Sequence, residues 1–75
     1  MREKKTDPID REAMAKELFE WRTRRGYLQR EVADMFGVSR YTIMRAENCD
    51  YLSLPTAYKV LSKLTQELRK EGGLY

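Results

Sequence analysis

Apolar residues recur along this chain at helical spacing, and no run alternates in the way a strand would. Met14, Leu18 and Trp21 stand four and three residues apart, forming one stripe of an amphipathic helix. Asp7 followed by Pro8 reads as an N-cap with proline in the first turn, and Gly26 reads as the stop, so the first helix is expected over residues 8–25. In QREVADMF, Val32, Ala33 and Phe36 share one face before Gly37, which predicts a second helix over 29–36. Ser39 is a natural cap for a third over 40–48, with Ile43 and Ala46 turned inward and Arg40, Tyr41, Met44 and Arg45 falling largely on other faces. A connector, CDYLS, leads to Ser53 as cap and Pro55 in the first turn of a last helix. That helix carries Leu54, Ala57, Tyr58, Leu61, Leu64 and Leu68, and Gly72-Gly73 ends it.

The expected fold is therefore all-α, a compact bundle of four helices, with five as the alternative. Its domain spans residues 8–71, between a disordered charged arm at 1–7 and a short tail at 72–75. Seventy-five residues make one small domain, near the size at which a single core only marginally holds a fold together.

Charge changes the picture more by placement than by amount. The net value is +3, yet Arg22 to Arg45 holds six arginines against Glu31 and Asp34, while the rest of the chain carries nine basic and ten acidic side chains. A basic middle third favours a polyanionic partner, although a solvated helix face is the commoner reason for a pair such as Arg24 and Arg25. The single cysteine, Cys49, forms no internal disulfide, and with no histidine in the chain it builds neither a Cys-His dyad nor an ordinary zinc site. Carboxylates such as Glu12, Glu20, Asp34 and Glu67 are spread over exposed helix faces, so no catalytic residue, metal ligand or cofactor is expected. Neither a signal peptide nor a stretch of about 20 apolar residues is present, and a reducing, intracellular setting is expected with no membrane partner.

The link between the second and third helices is only Gly37-Val38-Ser39, and a three-residue link containing glycine is characteristic of two helices crossing at roughly 90–120° in a helix-turn-helix. Ala33 has to be small where the third helix crosses, and Gly37 can take positive φ without a Cβ penalty. With Leu18, Trp21 and Arg22, then Gly26, Gln29, Val32-Ala33, Gly37-Val38-Ser39, Ile43 and Glu47-Asn48, the stretch from about 18 to 64 resembles the Cro/phage-repressor type of helix-turn-helix protein. It departs from that pattern at Leu28, where Ser or Thr usually caps, at Cys49, where Gly usually stands, and at Leu52, a frequent proline position.

The resemblance implies a lambda-repressor-like domain with its helix-turn-helix at 29–48, acting as a sequence-specific regulator of transcription, most simply a repressor. It implies double-stranded DNA and a second copy of the chain as partners, no small-molecule substrate, and a place in the bacterial cytoplasm, on the nucleoid or encoded by a phage. Arg40, Tyr41 and Arg45 then face base edges in the major groove, where an Arg fork suits guanine and Tyr a phosphate or a thymine methyl. Gln29, Ser39, Thr42 and Asn48 correspond to backbone-contacting positions, with a plain N-cap as the alternative for Ser39. Arg22 and Glu47 correspond to a structural ion pair between the ends of the first and third helices. Rival readings are an antitoxin or accessory protein of the same fold that acts through a protein partner, and an interaction module that has lost DNA binding.

Overall fold

The computed structural model describes residues 8–72; the expected arm at 1–7 and residues 73–75 of the expected tail lie outside them. Four helices are formed, α1 (Arg11–Arg25), α2 (Gln29–Phe36), α3 (Arg40–Glu47) and α4 (Leu54–Gly72), and the described residues contain no strand. The all-α expectation holds with four helices, and no fifth occurs among the described residues.

α1 starts later than its sequence suggests. Its N-cap is Asp10, whose carboxylate accepts the Ala13 N–H at 3.0 Å, so Pro8 precedes the helix instead of opening it. The reason lies in Ile9, which is almost fully buried. Standing just before the cap, Ile9 occupies the position that a hydrophobic staple joins to the fourth helical residue, here Met14, and both belong to the core. α3 ends at Glu47, one residue earlier than expected, with Asn48 as its cap.

α1, α2 and α3 all finish in the same way. Gly26 and Gly37 take φ of 76° and 71°, and each is followed by a paired closing bond: Tyr27 N–H to Arg22 O at 3.0 Å, and Val38 N–H to Ala33 O at 3.0 Å. At α3 the left-handed position falls on Cys49, at φ 58°, and the Asp50 N–H closes on Arg45 O at 2.8 Å. The chain thus repeats one stop signal three times, twice with glycine and once without.

The core gathers the inner faces of all four helices around Trp21, whose ring stacks on Phe36 with centroids 5.7 Å apart and lies 5.5 Å from that of Tyr27. The Trp21 indole N–H is buried among these rings without a hydrogen-bond acceptor. On α4 the apolar residues divide into two rows. Ala57, Val60 and Leu64 are buried, Leu61 and Leu68 are half-buried against the core, and Leu54 and Tyr58 stay exposed. Val60, absent from the expected stripe, is fully covered because the row with small Ala57 and branched Val60 is the one that faces the other helices.

Polar ties lock the elements. Arg24 and Arg25 reach Glu71 at 2.5 and 3.4 Å, joining the end of α1 to the end of α4. Lys59 donates to Gly37 O at 3.0 Å, joining α4 to the link after α2. Arg11 donates to Leu52 O at 2.6 Å, and Leu52 itself is buried, so the connector before α4 is part of the core boundary. No helix among the described residues is long and apolar enough to cross a membrane.

Candidate nucleic-acid interface

α3 is short because its stop comes after two turns, and its position is set from both ends. At its start, Ser39 Oγ accepts the Thr42 N–H at 3.2 Å, and the two hydroxyls lie 3.1 Å apart. Ser39 is therefore an N-cap, the plainer of its two expected roles, and Thr42 is drawn into the same cap. At its end, Glu47 accepts a two-pronged bond from Arg22, at 2.5 Å from Nε and 2.9 Å from Nη2. Arg22 spends a third donor on Tyr27 O at 3.0 Å, and Gln29 Nε2 donates to the same Glu47 carboxylate at 3.1 Å.

This cluster joins α1, α2 and α3. The side chains of Arg22 and Glu47 are only 14% and 4% exposed, so the charges are desolvated and depend on each other. The expected ion pair between Arg22 and Glu47 is formed. Gln29 braces α3 as its resemblance implied, and does so through the Glu47 carboxylate.

With one face of α3 buried through Ile43 and Ala46, Arg40, Tyr41 and Arg45 are left exposed, Tyr41 to 64%. Neither arginine has an ion pair or hydrogen bond among the described residues. Met44 is half-buried, as expected for edge packing, and Asn48 is exposed at the helix end. The exposed side chains offer guanidinium forks and a phenol with no carboxylate among them, a donor-rich surface suited to acceptors such as phosphate oxygens and purine edges.

Beside this row the ends of α1, α2 and α3 leave a hollow of about 360 Å³, lined by Arg22, Leu28, Gln29, Arg30 and Arg40. Leu28 stands at the α2 cap position without a side-chain acceptor; its own N–H is taken by the Glu31 carboxylate at 2.8 Å. No family model, curated protein or solved structure matches this chain. Its functional reading therefore rests on its own geometry.

Sequence reasoning assigned no role to Arg30. It read as one more arginine of the basic segment, and only the approach of α3 to the start of α2 brings it beside Arg40. Its place next to Gln29 at the start of a helix was the one available signal.

Proposed function

We propose that this protein binds duplex DNA sequence-specifically as a homodimer and regulates transcription, most simply as a repressor, in the manner of the Cro/phage-repressor proteins its sequence resembles. The observation that carries this reading is the exposed face of α3. A two-turn helix held rigidly at both ends presents Tyr41 and two unpaired arginines to solvent, immediately after a link of only three residues. A structural role for that face gives no reason for leaving two guanidinium groups without partners. In this reading α2 and α3 form a helix-turn-helix, α3 enters the major groove, and Gln29, Ser39, Thr42 and Asn48 lie along the flanking backbone.

The second copy would meet the first along the outer row of α4, where Tyr58 is exposed and flanks a groove of about 300 Å³ with Leu61 and Thr65. A two-fold pair would then place its recognition helices about 34 Å apart, one turn of DNA.

The test is selection from a random duplex pool at two salt concentrations. The reading expects one enriched motif in two related halves, with centres about 10 base pairs apart. Recovery of the starting pool at both concentrations would reject it and favour a role exercised through a protein partner.

A further inference from the structure

Arg30 and Arg40 come from different helices, the second residue of α2 and the first of α3, yet line one hollow. The contrast with neighbouring arginines is informative. Arg22 is neutralised by Glu47, and Arg24 and Arg25 by Glu71, whereas Arg30 and Arg40 have no acidic partner among the described residues. Glu31, the acid next to Arg30, is turned to the Leu28 N–H. Two like charges brought to one cavity repel each other until an anion sits between them, and the guanidinium fork matches the two free oxygens of a phosphodiester.

Helix geometry separates Arg40 from the residues that share the outer face. At about 100° per residue, Tyr41 and Arg45 lie within about 40° of each other, while Arg40 lies about 100° from Tyr41 and about 140° from Arg45, on the side of α2. Tyr41 and Arg45 do not line the hollow. One groove floor meets Tyr41 and Arg45 together; it does not also meet Arg40 head-on.

We infer that Arg30 and Arg40 form a clamp for a single backbone phosphate of the bound duplex, so that base reading falls to Tyr41 and Arg45. This rests on the DNA-binding reading above, and it moves Arg40 from the base-reading set to the backbone-holding set.

Two measurements test it. In the first, inorganic phosphate is titrated into the protein while the arginine side-chain N–H signals are followed by NMR. The Arg30 and Arg40 signals should move together along one saturation curve, and Arg30→Gln or Arg40→Gln should each weaken that curve several-fold. Movement of neither signal, or of one alone, overturns the clamp. In the second, the Arg30→Gln/Arg40→Gln double variant is compared with the unaltered protein by duplex selection and salt titration. It should return the same motif, with the salt slope reduced by about 0.9 for one lost phosphate contact. An unchanged slope overturns the clamp, and so does a base preference altered at one position by Arg40→Gln alone. If free phosphate moves both signals but the unaltered protein selects no duplex, the DNA backbone is overturned as the source of the phosphate, and the hollow belongs to a small phosphorylated ligand.

Discussion

Cys49 occupies the left-handed region that Gly26 and Gly37 occupy after α1 and α2, and it is exposed. A side chain there costs backbone energy that glycine avoids, and Cys49 contributes no buried packing in return. Cys49→Gly should therefore raise stability by about 1 kcal/mol, read as a higher urea midpoint at unchanged slope. An equal or lower midpoint would mean that the extra freedom of glycine in the unfolded chain outweighs the relief. Glu47 is the opposite case, since it satisfies Arg22 twice and Gln29 once while nearly buried. Glu47→Ala leaves the guanidinium without its counter-charge and should cost about 3 kcal/mol. In a domain of this size that lowers the melting temperature by roughly 15 °C. A melt within a few degrees of the original would show that the pair contributes little.

At the scale of the element, α3 separates reading from holding. Arg45 projects from the exposed face, while Gln29 supports the same helix from behind. If Arg45 donates two bonds to a guanine edge, Arg45→Ala should cost about 1–3 kcal/mol on the best site and flatten preference at one base pair per half-site. Non-specific binding should fall far less. Gln29→Ala should weaken all sequences by a similar factor and leave the salt slope nearly unchanged, because no charge is lost. Motif selection with each variant beside a salt titration distinguishes the two, and a wild-type motif from Arg45→Ala would transfer base reading to Tyr41.

For the whole molecule the open surface is the outer row of α4. Leu68 lies half-buried against the core, so a charge placed there would disturb the fold as well as any interface. Tyr58 is 47% exposed and is the cleaner probe. Tyr58→Glu should leave the thermal melt of the dilute protein nearly unchanged while weakening cooperative binding to a full site more than binding to a half-site. Sedimentation of the protein with each duplex would show the stoichiometry directly. Equal losses on both sites would place the dimer contact elsewhere.

The sequence alone determined the helices and their inner faces where the signal is local. The 3.6-residue spacing of Met14, Leu18 and Trp21, the stops at Gly26 and Gly37, and the Ser39 cap each depend on a few neighbouring residues, and each is formed. The Arg22–Glu47 pair was legible only through a resemblance, since nothing in the spacing of two residues 25 apart brings them together. Tertiary structure decided what local pattern left degenerate. Asp7 and Asp10 both suit a cap, and the burial of Ile9 chose Asp10. The apolar band of α4 is wider than one face, and packing selected the row through Ala57, Val60 and Leu64. Leu52, in a connector without periodicity, became core because the chain crosses α1 there. Arg30 and Arg40 meet for the same reason: a hollow between helix ends is a property of how helices cross, and no helix by itself encodes it.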